Sequence, residues 1–262
     1  MPGPLPDTPP AENALRVPGW PFWLALPAFV VFLFWPDANR ALFLAANHAG
    51  AALPALFWLG LSVLGEWPVV AALVSVWAAR KPARWPVALF ATLLALLAST
   101  ALKMLFAAAR PPLMLAADNF YLLGAMPHGD SFPSGHATAA ALMATLLGVG
   151  LRRRARALWL TLALAIMLSR LAVGVHWPLD LLAGGLLGWA CAQGSLTYLG
   201  ELRPGAWRLN LVATAIVLAY AAGLLSQPSL GGEGVWRVLV VSAAAAGLVA
   251  SRLRERAAGR RI

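Results

Sequence analysis

Apolar residues in this chain of 262 come in long runs, parted by short polar or proline-bearing breaks. They do not alternate with polar residues as half-buried strands do. A helix needs about 20 apolar residues to cross a hydrocarbon layer. The runs predict spans near 20–35, 51–79, 85–109, 137–151, 157–173, 179–199, 209–225 and 235–250. The second run is interrupted by Gly65-Glu66-Trp67-Pro68. Backbone groups in lipid must be satisfied within their own segment, so helices are expected and barrel strands are not. The expected fold is all-α, a polytopic transmembrane bundle of about eight spans. Residues 1–18 hold six prolines and read as a disordered tail. No basic residue precedes Arg16 and no cleavage site follows a short apolar run, so a cleavable signal peptide is not expected.

Composition sharpens this reading. Hydrophobic residues make up 61% of the chain and charged residues 11%, against about 25% charged in soluble domains. That excludes a soluble domain of this size and a disordered chain. The single cysteine, Cys191, excludes a disulfide scaffold and a multi-cysteine metal site, and reads as a small packing residue. Several of the 12 tryptophans fall near span ends, where indole rings anchor to the interface.

The net charge of +10 could suit nucleic acid or anionic lipid. Its distribution decides. Fifteen of the 20 basic residues fall in the tails and even-numbered loops: Arg16, Arg80, Lys81, Arg84, Arg152, Arg153, Arg154, Arg156, Arg203, Arg208, Arg252, Arg254, Arg256, Arg260 and Arg261. The positive-inside rule then puts both termini in the cytoplasm. The loop 110–133 and the turn 175–178 face the other side. Charge dispersed over span ends points to orientation and headgroup contact, with no nucleic-acid partner.

Three groups of polar residues gather at that opposite face. Lys103 and Arg110 are seven residues apart, about two helical turns, so they are expected on one face of the third helix until Pro111-Pro112 stops it. Lys103 could also simply snorkel to the interface. In Pro133-Ser134-Gly135-His136, Ser134 is a candidate N-cap, Gly135 permits close backbone approach, and His136 stands in the first helical turn. In the third group, Asp180 follows His176 by four residues and can fix the imidazole tautomer, with Arg170 at the end of the preceding helix. The bland alternative there is an ion pair between Arg170 and Asp180. Three cations and a helix N-terminus suit a phosphate dianion. Two histidines suit a nucleophile and a general acid. Metal ligation is disfavoured, because no His-x3–4-His pair or carboxylate cluster is present. A serine triad through Ser134 would leave the cations unexplained.

The ordered set Lys103-(six residues)-Arg110-Pro111, Pro133-Ser134-Gly135-His136, and Ser169-Arg170-(five residues)-His176-(three residues)-Asp180 resembles the three-part signature of the type 2 phosphatidic acid phosphatase superfamily. That superfamily includes bacterial lipid phosphatases, glucose-6-phosphatase and vanadium haloperoxidases. The resemblance covers about Leu53 to Tyr198. It implies a six-helix phosphatase core at 19–200, with two further helices and a basic tail at 201–262 that it does not explain. It implies hydrolysis of a lipid phosphomonoester or diphosphate at the periplasmic face of a bacterial inner membrane, without metal or other cofactor. Undecaprenyl diphosphate, phosphatidylglycerol phosphate, phosphatidic acid and lipid A phosphate are the candidate substrates. His176 would be the nucleophile, oriented by Asp180, and His136 the acid and base. Lys103, Arg110, Arg170, Ser134 and Gly135 would hold the phosphate. The alternatives are phosphotransfer to another lipid, or a non-catalytic lipid-phosphate binding or transport protein. Glu66 reads as a candidate substrate contact, a contact to the basic cluster or a structural partner. His128, Asp118 and Asp130 read as solvated loop residues, Asp130 nearest the site entrance. Oligomeric state is not legible.

Overall fold

The computed structural model describes residues 19–81 and 84–199, apart from the side chains of residues 20–22. Among the described residues every regular element is a helix: α1 (Trp20–Phe34), α2 (Pro36–Gly50), α3 (Ala55–Leu64), α4 (Trp67–Ala79), α5 (Arg84–Phe106), α6 (Pro111–Met114), α7 (Gly135–Leu147), α8 (Arg153–Ala172) and α9 (Pro178–Leu199). The expected tail at 1–18 and the expected spans at 209–225 and 235–250 lie outside the described residues. Proline opens α2, α6 and α9. Its missing N–H costs nothing in a first turn, and its fixed φ suits helix entry.

Among the described residues two stretches are long and apolar enough to cross a membrane: Arg84–Met114, taking α5 and α6 together, and Arg153–Ala172. Two bent pairs raise the count to four: α1 with α2 at 112°, and α3 with α4 at 53°. The bend between α3 and α4 falls at the Gly65–Pro68 interruption. Helix α7 is apolar but only 13 residues long. Large apolar side chains such as Leu97, Leu105, Leu158 and Leu164 stay exposed on the outside of α5 and α8, as expected of surface that meets lipid.

The structure corrects three expectations. Residues 36–50 were expected to be a loop, and form α2. Its buried residues Phe43, Asn47 and Gly50 are spaced by four and three, one helical face. The basic cluster at 152–156 was expected between spans. It forms the N-cap and first turn of α8. The third helix was expected to run to Ala109, with Arg110 on its face. It ends at Phe106, and Ala107 takes a left-handed φ of 44°. Arg110 precedes a proline, which drives it to extended backbone (φ −80°, ψ 158°) as the N-cap of α6.

The core is built from α4, α5, α7 and α9, around the buried Trp85, Leu142, Met143 and Leu146. Helices α7 and α9 share the most extensive interface. Glycine makes their close approach possible. A Cβ on Gly188 would lie 2.1 Å from the Thr138 carbonyl oxygen, and one on Gly184 2.5 Å from that of Ser134. This packing sets the N-terminus of α7 beside that of α9, at the end of the bundle where α8 finishes.

Candidate active site

Arg110 is buried, at 9% exposure, and all three of its guanidinium nitrogens are engaged. Nε donates to the Gly129 carbonyl at 2.9 Å and Nη2 to Asp130 at 3.2 Å. Nη1 donates to the Val175 carbonyl at 3.1 Å and lies 3.2 Å from His176 Nε2. Lys103 Nζ donates to the Asp130 carbonyl at 2.6 Å and reaches that of Ser131 at 3.3 Å. Both cations therefore grip the same backbone segment, 129–131. They meet through this loop and not along one helical face. Asp130 contributes by its carbonyl, while Asp118 and His128 are exposed as expected.

His176 lies in the turn between α8 and α9, 2% exposed. Guanidinium nitrogens only donate. Nε2 must therefore carry a lone pair, and the ring proton sits on Nδ1, 3.2 Å from Asp180 Oδ2. The network thus assigns the tautomer. Burial first, and then the charges of Arg110, Arg170 and Lys103, hold the His176 pKa well below its ordinary value. The ring is a neutral base at physiological pH. Asp180 Oδ2 also accepts from the Trp177 amide at 2.8 Å and the Ser131 hydroxyl at 2.5 Å. The pairing of His176 with Asp180 is the one read from their spacing.

Ser134 caps α7, its Oγ accepting from the Ala137 amide at 3.4 Å. Its own amide donates to the Asp180 carbonyl at 3.0 Å, which ties the Pro133–His136 segment to α9. The positive charges of Arg170, Arg110 and Lys103 all act on half-buried His136, so the three sequence groups lie near one another here. Gly65, at the bend between α3 and α4, lets that bend press on the ring. A Cβ there would stand 3.2 Å from His136 Cδ2 and 2.6 Å from Ile166. A Cβ on Gly135 would meet the Trp67 indole nitrogen at 3.4 Å. Glu66 is the N-cap residue of α4 at the same bend. Arg170 Nη1 donates to Ser62 Oγ on α3.

Several contributors were not singled out by sequence reasoning. Ser131 is fully buried and touches both Asp180 and His176, the latter at 3.4 Å. Asn47 on α2 is fully buried; its amide donates to the carbonyls of Tyr121, Leu171 and Ala172, and its Oδ1 accepts from the Tyr121 amide. Asn39 accepts from the Leu179 amide in the first turn of α9 at 2.9 Å. Helix α2 is therefore a bracket, joining the loop after α6, the end of α8 and the start of α9. Its signal in the sequence was Asn39, Phe43 and Asn47 at intervals of four. Among the described residues no group of three or more His, Cys, Asp or Glu side chains could hold a metal ion.

A family model described as "PAP2 superfamily" matches residues 85–204. A 67-residue stretch is 49% identical to phosphatidylglycerophosphatase B of Escherichia coli (strain K12), covering 24% of this chain and 26% of that protein. A 68-residue stretch is 43% identical to an undecaprenyl-diphosphatase of Sulfolobus acidocaldarius, covering 26% of this chain and 33% of that one. The matches thus span about a quarter to a third of the length of these curated relatives. The crystal structure of Aquifex aeolicus LpxE superimposes with a TM-score of 0.53 at 31% identity, over 62% of this chain and 96% of that one.

Proposed function

The chain belongs to the PAP2 superfamily, and from that membership we propose that it is an integral membrane lipid phosphatase working through a phosphohistidine. The observation that carries this reading is the state of His176: Nδ1–H toward Asp180, and a lone pair on Nε2 facing Arg110 Nη1 at 3.2 Å. A phosphoryl oxygen that takes over Arg110 Nη1 releases Nε2 and brings phosphorus to it in the same movement. The Nε2–P bond forms as the P–O bond to the lipid breaks. His136 protonates the departing oxygen, then takes a proton from the water that cleaves the P–N bond. Asp180 offsets the positive charge that develops on His176. Lys103, Arg110, Arg170 and the amides at the start of α7 hold the phosphoryl oxygens, most strongly as charge accumulates on them. No metal enters these steps.

The substrate is a phosphomonoester or diphosphate of a membrane lipid. Names of the relatives support undecaprenyl diphosphate and phosphatidylglycerol phosphate as the first two to test. We place six spans in residues 19–200 and two in 201–262, in a bacterial inner membrane. Exposed arginines at the start of α8 and the candidate site at its end support cytoplasmic termini and a periplasmic site.

The test is phosphate release from a panel of lipid phosphates by purified wild-type protein beside His176→Ala, with and without chelator. Release by the wild type alone, unchanged by chelator and passing through an alkali-stable phosphoprotein, is the expected outcome. Full release by His176→Ala, or loss on chelation restored by a divalent ion, would overturn the mechanism.

A further inference from the structure

A second lipid-sized feature runs along the bundle, from beside the end of α8 that carries the candidate site to the opposite end. An apolar groove of about 980 Å³ follows α8, walled by α1, α7 and α9. Its lining on α8 runs from Arg153 to Leu171. At 1.5 Å per residue that is roughly 27 Å, close to the whole hydrocarbon thickness of about 30 Å, so the chains of one leaflet would fill about the half nearest Arg153. Leu164 and Leu168, both exposed, form its side on α8, and Phe32 faces them from α1. None of Lys103, Arg110, Arg170, His136 or His176 lines it.

Among the described residues, charge enters the groove at one end only. Arg153 and Arg156, in the first turn of α8, are its charged lining residues. Arg156 is fixed there. Its Nε donates to the Leu151 carbonyl at 3.0 Å, and its stem lies over Gly148, where a Cβ would come 3.3 Å from Cγ. Exposed Arg152 and Arg154 add to the field, and the first turn holds no acidic residue. Cations at this end are opposed by the helix dipole and favour an anion beside them.

We infer that this groove binds an anionic diacyl phospholipid of the cytoplasmic leaflet, its phosphate on Arg153 and Arg156 and its chains along α8. Charge complementarity selects this occupant. Apolar walls ending in an arginine pair match chains ending in a phosphate. The uncharged tail of a long isoprenoid lipid reaching down from the catalytic end would fill the walls but leave the arginines unused. The inference rests on the proposed orientation of the chain and not on the proposed chemistry, in which neither Arg153 nor Arg156 takes part.

The test is native mass spectrometry of the full chain in mild detergent, titrated with phosphatidylglycerol or phosphatidylcholine. Wild type should retain phosphatidylglycerol at tenfold or more lower concentration than phosphatidylcholine. The double variant Arg153→Gln/Arg156→Gln should lose that preference while keeping wild-type phosphate release within twofold, which reports its fold. Leu164→Trp should lower retention of both lipids. Equal retention of the two lipids by wild type, or a preference that survives in the double variant, would overturn the inference. So would displacement of phosphatidylglycerol by undecaprenyl phosphate equally in wild type and double variant, which gives the groove to a substrate tail. A rapid disulfide between Leu164→Cys and a cysteine walked through 209–225 or 235–250, in a Cys191→Ala background, would give it to the chain's own segment.

Discussion

Both ends of α8 carry arginine, and the two ends use it differently. At the C-terminal end the cations are built into the protein. Arg110 bonds three backbone carbonyls and lies against a histidine, Lys103 grips the same loop, and Arg170 reaches Ser62 on α3. At the N-terminal end Arg152, Arg153 and Arg154 are exposed. An exposed guanidinium near the headgroups is cheap to place and says little about shape. A buried one must be matched group by group, and that matching fixes where its charge points. Arginine count alone would rank the two ends alike, whereas their hydrogen bonds separate an exposed set of cations from one built into the protein.

The sharpest way to break that contrast is to remove the group that buried Arg110 and half-buried Lys103 and Arg170 surround. His176→Ala should lower kcat/KM on a lipid phosphate by at least about 10⁴-fold, as loss of a nucleophile does elsewhere. The same residue sets the pH profile. Its folded pKa is depressed, so the neutral ring persists as pH falls, and the acid limb of kcat/KM assigned to it should lie below pH 6.5. An acid limb centred above 6.5 in wild type would contradict this assignment.

Arg110→Lys comes next. Lysine keeps the charge but not the planar fork that serves Gly129, Asp130, Val175 and His176 together. We expect a loss of about 10²–10³-fold in kcat/KM, the scale of one oriented donor on a developing oxyanion. An equal loss in Arg154→Lys would erase the distinction between the ends.

How far the site could be read in advance follows the same division. Lys103, Arg110, His136, Arg170, His176 and Asp180 stood out because each is an ionisable group beside lipid-length apolar runs, where such groups are costly. Spacing also fixed the His176–Asp180 contact, since a carboxylate in the first helical turn can reach back to the preceding turn. What stayed hidden is what carries no such contrast. Ser131 is one hydroxyl in a loop of small polar residues, and only burial makes it part of the dyad. Helix α2 escaped because apolar runs were the guide, and its inward face includes Asn47. The end of α5 was misplaced although the rule was available: a residue before proline leaves the helix, so Arg110 could not share a helical face with Lys103.

Ser131→Ala sharpens the comparison on a smaller scale. It removes a 2.5 Å bond to the one carboxylate oxygen that also faces His176. A hydrogen bond to a charged group is worth about 1.5–3 kcal/mol, so kcat/KM should fall about 10–100-fold with KM little changed. Ser131→Thr, which keeps the hydroxyl, should recover part of the rate if it packs. A loss confined to KM would mean that Ser131 binds lipid and does not steady the dyad.

Arg154→Gln should do least, and its smallness is informative. Arg154 is exposed in the first turn of α8, faces no catalytic group, and is not among the residues that line the apolar groove. Surface changes away from buried networks usually stay within about 0.5 kcal/mol. Losing one cation from the positive end of a helix dipole should if anything favour the helix slightly. We therefore expect kcat/KM within twofold of wild type and an unchanged or slightly raised Tm. Because Arg152, Arg153 and Arg156 beside it carry the same charge, no single one should decide which way the chain inserts. A tenfold loss of activity in this variant would mean that the exposed end is coupled to the site, and that burial does not divide the two sets of cations after all.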